Sequence, residues 1–458
     1  MGMTLTEKIL ARGAGKARVE PGDKVWVGVD VLMTHDVCGP PTYAIFQREF
    51  GSQARFWDPD RVVVIPDHYI FTEDPHARRN LEELRRMAHE QGLRYFYDAF
   101  SARYSGVCHV TLAEKGHVRP GSIIIGTDSH TCTAGAFGAF ATGVGNTDAA
   151  FVLGTGKLWL RVPETLRVVL HGQLAPGVMA KDVILRLIGD LGVDGANYCA
   201  LEFQGEGVGT LSVDERMTLC NMAVEAGAKN GLIPVDDETR RYLQAHGVDG
   251  GEAEEGDPTA EYAQTLEYRL DVLPPQVARP HSPANSIPVT ECEGEPLTTA
   301  YLGSCTGGKV EDFLAAAIVL KGRRVKLDTY AVPATVAVQR ALNQIRLGDK
   351  SLREIFLEAG VKLGEPSCAA CLGGPVDTFG RLRGDEVAIS ATNRNFPGRM
   401  GSSKAQIYLA SPATVAASAV EGRITDPRRL VDEETWRRRA EIVARQEAVV
   451  VSSDAPAA

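Results

Sequence analysis

The chain has 458 residues, 44% of them hydrophobic, with 49 basic and 59 acidic side chains and a formal charge of −10. That length exceeds the roughly 250 to 300 residues at which a single core stops growing, so two or three domains are expected. The acids are spread along the whole chain, which excludes the basic stripe of a nucleic-acid surface and leaves room only for a few arginines gathered in one cleft.

Residues 1–16 carry Glu7, Lys8 and Arg12 without a continuous apolar stretch, so no secretory signal is expected there. Apolar runs such as Phe313 to Leu320 fall far short of the roughly 20 residues that cross a bilayer. A soluble, cytoplasmic protein without membrane contact is expected. Nine cysteines, an odd number dispersed through a long chain, do not form a secreted disulfide framework, and reduced thiols or a metal site are expected instead.

In chain order, His35-Asp36 comes first, in Met33-Thr34-His35-Asp36. The apolar run Arg61 to Ile65 reads as a strand leading into Asp67-His68, and a helix is expected over Ala77 to Gln91. His109 follows in Gly106-Val107-Cys108-His109-Val110, and a second strand, Ser122 to Ile125, leads into Asp128-Ser129-His130. A strand over Leu166 to Leu170 and a helix over Lys181 to Leu191 continue an α/β rhythm. A continuous helix from Val213 to Ala226 would put Asn221 and Glu225 on one face at i, i+4. Gly247 to Pro258 reads as an exposed loop, and Pro274 to Pro288, with five prolines, as an irregular segment holding a domain boundary. Beyond it Ala300 to Leu302, a helix over Val310 to Leu320, and Arg324 to Val332 resume the rhythm. The division expected is 1–285, then 286–430, then a C-terminal helix and tail over 431–458, with Val449 to Ala458 disordered. No repeat of 20 to 50 residues is visible.

Three cysteines stand on glycine-rich turns: Cys305 in Gly303-Ser304-Cys305-Thr306-Gly307-Gly308, and Cys368 and Cys371 as a C-x-x-C ahead of Gly373-Gly374. Such turns let backbone approach a compact inorganic group closely. A C-x-x-C pair alone is equally a redox dithiol, half a zinc site or a plain turn. The other six (Cys38, Cys108, Cys132, Cys199, Cys220, Cys292) are singletons in different settings. Structural zinc sites and electron-transfer clusters usually need four protein ligands, whereas an iron-sulfur cluster on three thiolates leaves one iron open as a Lewis acid. Dehydrating a hydroxy-acid needs that kind of help, because hydroxide leaves poorly and the proton beside a carboxylate is weakly acidic.

Each histidine beside an acid is by itself as well read as a helix cap or a buried hydrogen-bonding group. Two of the pairs follow apolar strands, where α/β folds place their sites, and together with His109 they point to a shared acid-base site. Asn393-Arg394-Asn395-Phe396-Pro397-Gly398-Arg399 sets two guanidinium groups around a Pro-Gly turn, suited to carboxylates or to solvent. Glu225, among small and apolar neighbours, is either ordinary helix polarity or a partly buried proton shuttle.

Taken together, Thr-Asp-Ser-His-Thr at 127–131, the cysteine turn at 303–308, Cys368 to Gly374 and Thr392 to Gly401 resemble the aconitase superfamily from about Lys24 to Pro427. The resemblance implies three α/β domains around one [4Fe–4S] cluster per subunit, held by Cys305, Cys368 and Cys371 with one iron not bound by protein. It implies Asp67, His68 and His109 as the proton-donating group, Asp128, His130 and Glu225 around the water position, and Asn221 and Asn393 in hydrogen bonds near the cluster. Arg394 and Arg399 are implied as carboxylate clamps, and His35 stands in a substrate-binding slot where aconitases proper carry Gln. The swivelling fourth domain of single-chain aconitases finds no room before Ala458, so a separate small subunit is implied, in a heterodimer or heterotetramer. The segments at 33–40, 65–72, 126–138 and 217–222 are most similar to the branch that isomerises 2-alkylmalates. The expectation is a hydro-lyase of leucine biosynthesis acting on isopropylmalate, with homoaconitate, citramalate or another 2-alkylmalate as the alternative. Its substrate is a small di- or tricarboxylic acid and nucleic acid is not a partner.

Overall fold

The computed structural model describes residues 2–250 and 254–443. The tail expected from Val449 to Ala458 lies outside the described residues. The chain divides into two compact units: Met1–His171, Asp194–Gly209 and Leu219–Tyr268 form the first, and Gly172–Val193, Thr210–Thr218 and Arg269–Ala458 the second. The fold is α/β in both.

The first unit is built on a five-stranded sheet ordered Tyr95–Phe96, Val62–Val64, Val31–Thr34, Ile123–Gly126, Phe140–Gly143. Every neighbouring pair in it is parallel. The central strands are continuous apolar runs and buried along their length, as a parallel sheet covered on both faces requires. Crossover helices supply the cover. Pro75–Gln91, for example, starts on the Asp74 carboxylate, has proline in its first turn and ends at Gly92 with φ 66°. A second sheet pairs Asn230–Leu232, Ala200–Gln204, Thr165–His171 and Gln264–Arg269 in that order.

The second unit has a seven-stranded sheet. Its parallel part runs Gln406–Ala410, Val387–Ser390, Thr299–Leu302, Asp328–Ala331, Lys362–Leu363. Read by position in the chain, both parallel sheets have the order third, second, first, fourth, fifth. That order reverses direction between the first and fourth strands, and ligand groups gather at the strand ends beside such a reversal. In the first unit the loops leaving those two strands carry His35-Asp36 and Asp128 to His130; in the second they carry Ser304-Cys305 and Thr392-Asn393.

Two local expectations change. The proline-rich segment 274–288 is only partly irregular: Gln276–Ala278 and Ser286–Pro288 form an antiparallel hairpin on the edge of the seven-stranded sheet, on the two sides of position 285, and the residues between them are turn and coil. An edge strand leaves one row of N–H groups out of the ladder, which is where proline is tolerated. The helix expected over 213–226 is α-helical only to Asn221 and tightens into a 3-10 turn, Met222–Ala226, before Gly227 at φ 88°. The helix end packs backbone to backbone on the strand Asn230–Leu232: a Cβ on Gly231 would lie 2.8 Å from the Cys220 Cα.

The same strand meets the 3-10 segment Ser129–Phe137, where a Cβ on Gly135 would lie 1.7 Å from the Gly231 carbonyl oxygen. Gly135→Ala is therefore expected to destabilise the first unit by about 1–3 kcal/mol, because backbone must shift to admit the methyl group. Thermal melts of the two proteins check this; an unchanged midpoint would show that the backbone yields freely.

Candidate active site

In the first unit, one carboxylate organises the site before any substrate is considered. Asp36 accepts three backbone N–H bonds, from Asp67 (2.9 Å) and His68 (3.0 Å) on one oxygen and Tyr69 (2.7 Å) on the other. It thereby locks the loop after Val62–Val64 onto the end of Val31–Thr34 and turns the side chains of Asp67 and His68 inward. Asp67 and His68 are both buried. Asp67 Oδ1 lies 2.6 Å from His68 Nδ1, and its other oxygen accepts from the Cys108 N–H at 2.8 Å. Burial disfavours charge on either partner. Their mutual attraction outweighs it, so Asp67 stays below the usual carboxylate range and His68 is pushed up to about 10.

Asp128 is the second centre. Its Oδ1 is 2.9 Å from His109 Nε2 and 3.3 Å from His130 Nδ1, and it accepts the His130 N–H at 2.8 Å. Its Oδ2 is 3.9 Å from both His35 Nε2 and His68 Nε2. Burial works against its charge, but His109 and His130 hold it well below the usual range. His130 Nε2 continues to Glu225 Oε1 at 2.8 Å, so the tightened turn after Asn221 delivers that carboxylate into the set. Asn221 donates to Thr133 Oγ1 at 2.7 Å, and Thr133 in turn donates to the His130 carbonyl at 2.6 Å. His35 is lowered by burial and by the His68 charge, and its Nδ1 accepts from the Val37 N–H at 3.3 Å. Its proton is accordingly on Nε2, which has no hydrogen-bond partner among the described residues. All eight first-unit residues expected from sequence, His35, Asp67, His68, His109, Asp128, His130, Asn221 and Glu225, are buried or nearly so.

In the second unit Cys305, Cys368 and Cys371 are buried thiols, and none of the chain's nine cysteines is in a disulfide. Hydrogen bonds to Cys305 and Cys371, and then burial, hold the Cys368 thiol well above its ordinary range, so the three sulfurs converge. Asn393 bridges two of them: its Nδ2 donates to Cys305 Sγ at 3.4 Å and its Oδ1 accepts from Cys371 Sγ at 3.3 Å. Arg399 Nη2 reaches Cys371 Sγ at 3.9 Å, and Arg394 is half-buried one residue after the bridging Asn393. Ser304 holds φ 70°, a conformation that costs a non-glycine residue energy, directly before the first cysteine. A Cβ on Gly307 would lie 2.4 Å from the Ala391 Cβ, so the turn is closed down on the neighbouring loop. Three converging soft donors on glycine-lined backbone fit an iron-sulfur cluster, and the donor set is one short of a closed four-ligand site.

A family model described as the aconitase family (aconitate hydratase) matches residues 7–297 and 290–422. The chain belongs to the aconitase family. Among relatives, the chain is 54% identical to a chloroplastic 3-isopropylmalate dehydratase large subunit of Arabidopsis thaliana, over 93% of this chain and 86% of that one. It is 47% identical to 3-isopropylmalate dehydratase large subunit 1 of Methanopyrus kandleri, over 93% and 99%. A probable 3-isopropylmalate dehydratase large subunit of Methanothermobacter thermautotrophicus is 48% identical over the same shares. The residues that the family model matches span both units of this chain.

Sequence reasoning passed over the groups that support this site. Asp36 was visible only as a neighbour of His35, and Lys181 and Lys309, whose ammonium groups hold the cysteine loops, carried no motif. The one local signal was that both lysines stand at helix N-termini, where a cation opposes the dipole.

His68 is raised on folding, so its contribution to stability is complete below the ordinary imidazole value near 6.5 and is lost as pH climbs through about 10. Unfolding free energy is expected to fall over that interval, and Asp67→Asn, which removes the counter-charge, is expected to flatten the slope. Denaturant midpoints measured across the interval check this, and equal slopes in the two proteins would refute the pairing.

Proposed function

We propose that this chain is the catalytic large subunit of a hydro-lyase that interconverts 2-isopropylmalate and 3-isopropylmalate by dehydration and rehydration in leucine biosynthesis. The observation that carries the reading is identity of 47–54% over 93% of the chain with relatives bearing the 3-isopropylmalate dehydratase large-subunit name. In this reading residues 1–285 supply the acid-base groups, and residues 286–430 supply the cluster ligands and arginines.

Cys305, Cys368 and Cys371 would hold a [4Fe–4S] cluster, which when bound supplies a Lewis-acidic iron free of protein ligands. The chain's own groups do the rest. His68, with Nδ1 engaged by Asp67, keeps its transferable proton on Nε2 and acts with His109 as donor to the departing hydroxyl. Asp128, His130 and Glu225 form a continuous hydrogen-bonded path that receives and returns the proton of the released water. His35 presents a neutral N–H to the substrate, and Arg394 and Arg399 fork its carboxylates. Asn393 fixes two of the thiols, and Asn221 braces the His130 loop through Thr133. The large-subunit names of the relatives support a small-subunit partner for this chain as well, carrying the swivelling domain.

Purified without oxygen together with that small subunit, the protein is expected to contain about four irons per large chain and to raise the ultraviolet absorbance of an alkene diacid from 3-isopropylmalate. Cys305→Ser is expected to lose iron and activity together. His68→Ala is expected to keep its iron while kcat drops about 100- to 10,000-fold. Turnover of a different 2-alkylmalate alone would move the substrate, and zinc in place of iron would overturn the reading.

A further inference from the structure

Two lysines are fully enclosed beneath the cysteine loops of the second unit, each 1% exposed. Lys309 Nζ donates to the Cys305 carbonyl at 3.2 Å, to Thr218 Oγ1 at 3.0 Å and to Asp312 Oδ2 at 2.8 Å. Its charge is therefore matched by a carboxylate, and what remains is a mechanical tie on the Cys305 backbone. Lys181 differs. Its Nζ meets the Ala391 carbonyl at 3.0 Å, the Thr392 carbonyl at 2.6 Å and Thr306 Oγ1 at 3.2 Å. The Thr306 hydroxyl proton is already committed to the Ala391 carbonyl at 2.9 Å, so all three contacts are acceptors. Only an ammonium has three N–H groups to fill them; a neutral amine would turn its lone pair on a carbonyl oxygen.

Every partner of that ammonium is uncharged. A buried charge held only by neutral oxygens must find its opposite charge nearby or be costly. The groups it touches belong to the two loops that carry the sulfurs and their bridge: Thr306 follows Cys305, and Thr392 precedes Asn393. Burial pulls the lysine down to about 7; Asp312 resists that pull, the Lys309 charge adds to it, and the Cys305 and Cys371 sulfurs resist it. Metal-binding cysteine is thiolate, so the Cys305 and Cys371 sulfurs would become negative near a cation whose own hydrogen-bond partners carry no charge.

We propose that Lys181 is the counter-charge of the three cluster thiolates, a positioning residue that sets the electrostatic potential of the cluster, whereas the neutral Lys309–Asp312 pair only ties the loop. The proposal rests on the reading that these cysteines hold an iron-sulfur cluster. A buried cation stabilises the reduced, more negative cluster, so removing it should make reduction harder.

The experiment uses the complex of large and small subunits, made without oxygen, with the midpoint potential followed by electron paramagnetic resonance and iron release by a chelator. Lys181→Met and Lys181→Gln are both expected to shift the potential downward and to retain iron about 10- to 100-fold less well. Glutamine keeps N–H donors without charge, so a wild-type potential in Lys181→Gln would overturn the proposal in favour of hydrogen bonding. The double variant Lys309→Met, Asp312→Leu removes a neutral pair and is expected to leave the potential in place; an equal downward shift there would also overturn it. Should neither Lys181 variant load iron while the double variant does, the charge is required and the proposal stands. If all three fail to load, the loops merely need their ties and it falls. Wild-type protein lacking iron and sulfide would overturn the cluster reading itself, an outcome seen before any variant is made.

Discussion

Burial of charge is the constraint on which this architecture depends. Reactive carboxylates, imidazoles and thiols are kept away from water at the ends of parallel strands, and each buried charge has to be answered by a group of fixed position. Asp36 is the clearest instance. Its two oxygens are filled by three consecutive backbone N–H groups, so it has little capacity left for a ligand and serves as the fixed point from which Asp67 and His68 are aimed. The same logic repeats in the second unit, where Asn393 answers two sulfurs and two buried ammonium groups answer the loop carbonyls. Cores of ordinary aliphatic packing surround both sets, and these cores exclude the water that would otherwise weaken every such contact.

The site was legible in the sequence to the extent that chemistry and strand ends coincide. Asp67-His68 and Asp128-Ser129-His130 follow short apolar runs, and a run of valines or isoleucines ending in such residues points to a parallel strand and its active end. The helices expected over 77–91, 181–191 and 310–320 were similarly legible from their residue pattern, and the structure has them at Pro75–Gln91, Ala180–Leu191 and Val310–Leu320. Where the reading slipped, tertiary contact outweighed local preference. Nothing within 213–226 announces that the helix end must press on the backbone of Gly231, and nothing within 274–288 tells an edge hairpin from a loop. The shared strand order of the two units was invisible as well, because it is a property of which strands pair and leaves no repeat in the residues.

Lys181 shows why the remainder was out of reach. Its partners lie 125, 210 and 211 residues away, so no window of sequence contains the tripod. What a window does contain is a conflict: a lysine in the first turn of the helix Ala180–Leu191 opposes the dipole, and Lys309 does the same at the start of Val310–Leu320. Each helix nonetheless has an aspartate as its third residue, Asp182 or Asp312, binding back to the residue before the helix, which restores a favourable terminus. Local choices that disagree with local preference are expected where a site needs them, and the two lysines are such places.

The role open to His35 depends on a single proton. It lies 4.4 Å, ring to ring, from His68, which is cationic at neutral pH, and a second positive imidazole there would be repelled as well as desolvated. The ring is therefore neutral, with Val37 occupying Nδ1 and the proton on Nε2, 3.9 Å from Asp128 Oδ2. What it offers is an uncharged N–H donor of fixed direction beside an anion. A glutamine amide offers the same thing, which is what the resemblance places in this slot in aconitases proper. The exchange of Gln for His thus preserves the charge and the donor and changes only shape. In the proposed reaction His35 would therefore hold its proton still, whereas His68, one ring away, would give one up.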